Sequence, residues 1–448
     1  MSQDTRVPEA WRLGEDFVPK GRYIDRDFLQ LEYQRLFPRL WQMACREEEI
    51  PAVGSHLEYQ IGDQSVVVVR SESGIKAFYN ACIHRGTRLV RGRGRASELR
   101  CPFHGWRFAL DGECTFMYCA DEFNPRPEAQ RRLREIRCDS WGGWVFVCFD
   151  PDAEPLLDWL DPIPQAVAPW RLDEMRYLWH KRTILPANWK TAIDAFIEGY
   201  HTPGTHPQYG RFDQGAAPST RPTTAEEFGA GLWTPTITYR NHSRFVFGMR
   251  DDGASHQRGP ISKETVANNI LYQVAQLRAL NTESDARAAR ELLDTDLAPG
   301  ANPYAELSRL RRKHAEADGV RLPEFTHEQL DAGAGDWHVL PTLVILLELG
   351  CALGYRSLPN GDDPDSCVFD VWSLQLFGPG KQPHVELEFH ERWQDGDFGQ
   401  VLEQDFRNMS EVTAGLHQRG FEGHWLNTKQ EMSVHNAHRI ADRFLFDA

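Results

Sequence analysis

Cys82-Ile83-His84-Arg85-Gly86 and, after sixteen residues beyond that histidine, Cys101-Pro102-Phe103-His104-Gly105-Trp106 hold two cysteines and two histidines in two short mixed pairs. A lone Cys-x-His is usually two core residues that bind nothing. Two such pairs in one strand-rich region form a ligand set. It suits either a structural zinc or a [2Fe–2S] cluster in which two imidazoles replace thiolates on one iron. Zinc sites usually pair Cys with Cys and His with His, so the mixed pairs favour iron–sulfur while zinc stays open.

Around these loops, residues 65–70, 75–80, 106–110 and 144–149 read as short strands broken by turns such as Asp111-Gly112. The pattern predicts a small all-β domain over 39–155. Ahead of it lies a segment 1–38, with a helix over 26–37 capped by Asp25 and carrying Phe28, Leu31 and Leu36. Residues 151–169, rich in Pro and Asp, read as a linker into a second domain, 156–448.

That second domain mixes helices and strands. Helix is expected over 188–201, 398–418 and 428–443, and strands over 236–239, 244–248, 343–349 and 367–377. The Ala-, Leu- and charge-rich residues 263–318 predict a helical surface insertion spanning about 257–335. The fold class is α+β: an all-β domain, then an antiparallel sheet flanked by helices in a helix-grip-like arrangement.

A second chemical signal sits at Asn188-Trp189-Lys190, Asp194, Glu198-Gly199-Tyr200-His201 and His206. On one continuous helix, Ile193, Phe196, Ile197 and Tyr200 would share one face and Asp194, Glu198 and His201 another. Pro203 and Gly204 break it, letting His206 turn back toward His201. Two imidazoles and one carboxylate form the facial set of non-haem Fe(II) oxygenases, with coordination positions left open. Asp405 is a candidate third ligand, because it falls within the apolar arc Val401, Leu402, Phe406, Met409, Val412 and Leu416. A carboxylate so placed is paired, protonated or metal-bound, and a salt bridge to a core arginine is the alternative.

Bulk properties narrow the partners. A net charge of −15 argues against nucleic acid and anionic membranes. Residues 1–16 are polar and unlike a signal peptide, and the greasiest run, 339–353, holds Pro341 and Glu348 and is too short to span a bilayer. The nine cysteines lack disulfide-scaffold spacing, which points to a cytoplasmic protein; Cys45, Cys114, Cys119, Cys138, Cys148, Cys351 and Cys367 read as structural. No Gly-x-Gly-x-x-Gly fingerprint occurs between a strand and a helix, so electrons from NAD(P)H should arrive through a separate protein.

The two loops around Cys82, His84, Cys101 and His104 resemble the cluster loops of Rieske proteins, above all the Pro102-Phe103-His104-Gly105-Trp106 run. The Asn188 to His206 segment is similar to the mononuclear-iron motif of Rieske ring-hydroxylating oxygenase large subunits, and Glu403-Gln404-Asp405 with Asn408 to their late carboxylate motif. The resemblance, over about 40–440, implies a Rieske [2Fe–2S] cluster on Cys82, His84, Cys101 and His104, and mononuclear Fe(II) on His201, His206 and Asp405. It implies a carboxylate bridging the iron's His to a cluster His of a neighbouring subunit; family members carry Asp where this chain has Glu198, and Asp194 is placed to share that role. It also implies a reductase, with or without a ferredoxin, and a head-to-tail homotrimer (α3), with or without a β subunit (α3β3). The expected reaction uses O₂ to dihydroxylate or monohydroxylate an aromatic or largely apolar substrate, with oxidative N- or O-dealkylation as the alternative. A plain Rieske electron carrier is the rival from another class. Phe196, Ile197, Leu343, Ile345, Leu347 and Leu353 are the expected pocket residues, with Tyr355-Arg356 and the turn 359–363 as a rim or an ordinary β turn.

Overall fold

The computed structural model describes residues 7–210, 234–246 and 262–446. Contacts divide the chain into Gln30–Leu160 and a second unit joining Met1–Leu29 to Asp161–Ala448.

The first unit is all β. Its main sheet runs in the order Gln42–Arg46, Trp144–Cys148, Glu135–Trp141, Gly74–Tyr79, Gln64–Ser71, Ser55–Ile61, Arg93–Arg95, with every neighbour antiparallel. Val66 to Val69 are all fully buried, so this strand is covered on both faces and reads as a continuous apolar run. Three short strands, Leu99–Arg100, Arg107–Phe108 and Cys114–Phe116, form a second sheet. One core joins Val67, Val69 and Phe78 to Phe108 and Trp106, and Cys82 and Cys101 belong to it.

The second unit is built on eight strands in the order Thr236–Thr238, Ser243–Phe245, Asp336–Val339, Leu343–Glu348, Cys351–Asn360, Asp363–Gln375, Arg176–Leu185, Glu388–His390. All pairs are antiparallel except the last. The α+β class expected from the sequence is what the chain adopts. Four strands went unforeseen, the short Glu388–His390 at the sheet edge among them. Arg176–Leu185 and Asp336–Val339 carry polar residues at buried positions, and Cys351–Asn360 contains Gly354 and Pro359, which weaken a strand reading. Gly354 is there for space, since a Cβ would collide with the Trp372 indole on the neighbouring strand. The turn at 359–363 is the hairpin joining Cys351–Asn360 to Asp363–Gln375, with Gly361 at φ +62°. The strand expected at 244–248 and the insertion expected from 257 run partly outside the described residues.

Residues near the amino terminus are tied in by Phe17–Pro19, which pairs with Gly423–Trp425. The helix expected over 26–37 is α-helical only over Arg26–Leu31, then widens to a π turn at Glu32–Leu36. The division between the two units, Leu160 to Asp161, falls inside the stretch 151–169 read as a linker, and that stretch forms short helices at Leu156–Trp159 and Ile163–Val167 with Leu156, Trp159 and Ile163 buried.

The insertion is four helices, Lys263–Gln276, Glu283–Asp294, Pro303–Ala317 and His327–Gly333. Each start is capped by a side-chain oxygen, from Ser262, Thr282, Asn302 and Thr326. The first three bury a core of their own around Ala288, Leu292, Leu307 and Leu310. Among the described residues no helix is long and apolar enough to cross a membrane.

Candidate metal centres

The first centre is shaped by two matching backbone turns. Gly86 N–H donates to the Cys82 carbonyl at 2.8 Å, and Gly105 N–H to the Cys101 carbonyl at 3.1 Å. Both glycines have positive φ, 78° and 71°, where a side chain would be strained. Each turn lifts a histidine out of the core while its cysteine stays inside. The imidazoles of His84 and His104 face each other at 4.6 Å, and His84 lies flat on the Trp106 indole at 4.8 Å. Their Nδ1 atoms are buried and have no hydrogen-bond partner among the described residues. Cys82 and Cys101 are each 2% exposed. Burial, followed by the neighbouring Cys101 thiol, pushes the Cys82 thiol up to about 11.

Two bare nitrogens and two buried thiols together fit a cationic metal group. A bound metal reverses the thiol's preference, since a coordinating sulfur is deprotonated. These four donors are what a Rieske cluster takes, two per iron.

The second centre is assembled from distant elements. His201 and His206 flank the single turn Thr202–Thr205, and Asp405 sits on the helix Gln400–Leu416. One donor atom from each lies within 4.8 Å of the other two. Asp405 Oδ1 is 3.0 Å from His206 Nε2 and 3.7 Å from His201 Nε2. Asp405 is 5% exposed, and among the described residues no arginine or lysine pairs with it. Val412, placed by the sequence in the same apolar arc, is 39% exposed.

Both imidazoles are engaged from behind. His201 Nδ1 meets Glu198 Oε1 at 2.6 Å, and His206 Nδ1 donates to Gln404 Oε1 at 2.9 Å. Such contacts fix the tautomer and leave each Nε2 as the free lone pair toward Asp405. Gln208 Nε2 holds the same Gln404 oxygen at 2.8 Å. Asn408, the last residue of the late motif, donates to Thr205 Oγ1 at 2.8 Å and so ties the helix to the turn. Burial alone would lower the His201 pKa, but Glu198 and then Asp405 raise it to about 9. The site therefore attracts positive charge, and a divalent cation answers that demand better than a proton.

The helix expected over 188–201 stops at Asp194. Asn188 starts it, accepting from the Lys190 N–H at 3.0 Å while its amide nitrogen bonds the Tyr23 and Pro364 carbonyls. After Asp194, Glu198 takes the His201 N–H at 3.1 Å and caps a new turn, so the wheel that grouped Asp194 with Glu198 and His201 does not apply. Asp194 is turned elsewhere: its Oδ2 accepts from the Tyr23 hydroxyl at 2.7 Å. Burial pushes its carboxyl up to about 7. Gln404 stands within the late motif but its support of His206 was not foreseen, and Gln208 and Tyr23 carry no local motif that marks them.

The pleat sorts the expected pocket residues. Phe196 stacks on Tyr355 at 4.1 Å, and Phe406, beside Asp405, meets Phe369 edge-on at 5.6 Å. Tyr355 and Phe369 lie on one face of the eight-stranded sheet, so this is the face toward His201, His206 and Asp405. Leu353 shares it, being two residues from Tyr355 on the same strand. Leu343, Ile345 and Leu347 do not: they pair with Arg356, Gly354 and Ala352, on the opposite face. A one-residue difference in register flips a whole strand, which is why sequence alone misplaced these three. Phe196 and Ile197 are buried, 7% and 1% exposed.

Comparison with known proteins agrees with this architecture. Residues 165–446 match the ring hydroxylating alpha subunit (catalytic domain) model, and 40–127 match the Rieske [2Fe-2S] domain model. The chain is 32% identical over 201 residues to the glycine betaine monooxygenase oxygenase subunit of Chromohalobacter salexigens, covering 44% of each. It is 31% identical over 201 residues to the anthranilate 1,2-dioxygenase large subunit of Acinetobacter baylyi, covering 43% of each. The matched stretch thus spans less than half the length of either relative. A quaternary ammonium Rieske monooxygenase structure shares the fold at TM-score 0.63 and 15% identity, with 98% of this chain and 99% of that one covered. The chain belongs to the ring-hydroxylating alpha subunits, with a Rieske [2Fe–2S] domain preceding the catalytic domain.

Proposed function

We propose that the chain is the oxygenase component of a multicomponent Rieske system, with a [2Fe–2S] cluster on Cys82, His84, Cys101 and His104 and a mononuclear iron on His201, His206 and Asp405. The observation that carries this reading is a complementary pair of nitrogen sets. In one centre both Nδ1 atoms are bare; in the other both Nδ1 atoms are held and both Nε2 atoms face a buried carboxylate. The cluster would store single electrons, and the mononuclear iron would bring O₂ and substrate together.

The chain's own residues do the rest. Glu198 orients His201 with both oxygens, Oε1 at Nδ1 and Oε2 at the backbone N–H, and a lone pair left on either oxygen is what would meet a cluster imidazole of a neighbouring subunit in a homotrimer, with or without a β subunit. Gln404 orients His206. Phe196, Tyr355 and Phe369 supply an aromatic wall that excludes water and presents a small organic substrate. Electrons come from a reductase, with or without a ferredoxin. The family names of its relatives include both a monooxygenase and a dioxygenase, so insertion of one oxygen atom, which also initiates N- or O-dealkylation, and dihydroxylation are the two outcomes in view. Nine free cysteines suit a reducing cytoplasm. Acid-labile sulfide and iron analysis, together with O₂-dependent product formation in the presence of a compatible reductase, tests the reading; protein fully loaded with metal but lacking sulfide would overturn it.

A further inference from the structure

The eight-stranded sheet buries two aspartates, one on each face, and they are treated differently. Asp370, on the face away from the iron ligands, is wholly enclosed and fully paired. Arg356 Nη2 reaches it at 2.9 Å, Arg182 Nε at 2.9 Å and His180 Nε2 at 3.0 Å. That is how a buried structural carboxylate is normally satisfied.

Asp336 shows the opposite. It is 3% exposed, and among the described residues its buried Oδ1 has no hydrogen-bond partner. Burial drives its carboxyl far above the ordinary value. Two residues on, His338 is 1% exposed and equally unfinished. Its Nε2 donates to the Pro341 carbonyl at 3.2 Å, which leaves Nδ1 an acceptor, and that Nδ1 has no partner among the described residues. Asp336 and His338 pair with Leu346 and Val344, which in turn pair with Leu353 and Tyr355. Both therefore lie on the Tyr355 and Phe369 face, the one that Phe196 and Phe406 cover beside the iron ligands. The Tyr355 hydroxyl feels both Asp336 and Asp405, which sets Asp336 on the same side as the metal carboxylate.

We infer that Asp336 and His338 are a recognition pair for a substrate carrying a protonated amine, with the ammonium group docking on Asp336 and His338 Nδ1 accepting a further hydrogen. A buried carboxyl with a bare oxygen and an imidazole with a bare lone pair, beside an aromatic wall, call for N–H groups on a cation, whose charge would favour loss of the Asp336 proton. A hydrocarbon would leave both unsatisfied, and a site built for N–H rejects an analogue lacking it.

The inference rests on the catalytic face assigned under Proposed function, so its test measures binding, without turnover. Benzylamine and n-butylamine would be titrated calorimetrically into the metal-loaded protein against their carbon isosteres ethylbenzene and n-pentane, and against benzyltrimethylammonium. An amine binding at least about tenfold tighter than its isostere is expected. Asp336→Asn should erase that preference, and Asp336→Glu, which keeps the charge should Asn perturb folding, should retain part of it. The proposal is overturned if no amine of the panel outbinds its isostere, if benzyltrimethylammonium binds as well as benzylamine, or if Asp336→Asn keeps the preference. Amine preference in a protein that never consumes O₂ would instead sink the oxygenase reading alone.

Discussion

The two metal centres are opposite solutions to one problem. The first takes its four donors from loops separated by sixteen residues, and the backbone itself sets them: two glycine-closed turns and a core that grips the cysteines. The second gathers donors across most of the catalytic domain, with Gln404 lying 198 residues from the His206 it supports, and side chains do the positioning. One centre presents Nδ1 and the other Nε2. In the side-chain-built centre the protein holds Nδ1 and leaves Nε2 toward the carboxylate, whereas in the loop-built centre both Nδ1 atoms are bare among the described residues.

The sharpest break in that contrast is loss of a whole ligand. Cys82→Ser should abolish the brown chromophore and acid-labile sulfide and bring product formation below detection, while the mononuclear iron stays. A variant that kept the visible spectrum would show that the thiol is no ligand. Asp405→Ala should do the reverse: about two irons and two sulfides per chain remain, the visible spectrum is unchanged, and turnover is lost. If Asp405→Ala kept its full iron complement, the third ligand would have to be another carboxylate.

Smaller effects separate the supporting residues. Glu198→Gln keeps a hydrogen-bonding oxygen and removes the charge, so both metals should stay while oxygenation slows by roughly 10–100-fold. Gln404→Leu frees His206 Nδ1 but removes no charge, and about a tenfold loss of mononuclear iron affinity is expected, read by competition with a chelator. Equal losses from the two would mean that Glu198 acts only by orienting its histidine, with no part in electron delivery.

The same contrast explains what could be read in advance. The cluster loops were legible because ligand, turn glycine and spacing are neighbours in sequence. Half of the second site was legible too: His201, His206 and Asp405 are the residues that come together. What failed was geometry that depends on tertiary context. The helix ends at Asp194, the backbone tightens to bonds from Phe196 to Ile193 and from Ile197 to Asp194, and Glu198 then takes the His201 N–H, none of which helical periodicity reveals. Leu343, Ile345 and Leu347 were assigned to the pocket from hydrophobicity, yet both faces of that buried strand are apolar and only its register separates them. Asp336 and His338 escaped notice because a polar residue in a strand ordinarily marks the solvent face.

Asp336 also allows the weakest effect to be measured against its paired counterpart on the other face of the sheet. Its folded-state pKa is raised, so below about pH 4 the carboxyl is protonated in both folded and unfolded chains and costs nothing extra. As pH rises, the unfolded chain releases the proton while the folded one holds it, and stability falls by up to about 1.4 kcal/mol per pH unit until the folded group titrates. Asp336→Asn has no proton to lose. Its thermal midpoint should therefore rise relative to the natural chain between pH 5 and pH 7, with the gap widening as pH increases. Asp370 runs the other way: Arg182, Arg356 and His180 outweigh burial and hold it well below the ordinary range, so its pairing stabilises above about pH 4 and is lost only as acid reaches its depressed value. Asp370→Asn should lower the midpoint across pH 5 to 7 by an amount that barely changes with pH. A pH-independent gap for Asp336→Asn would mean that something already satisfies that carboxylate in the resting protein, and the asymmetry between the two faces would be gone.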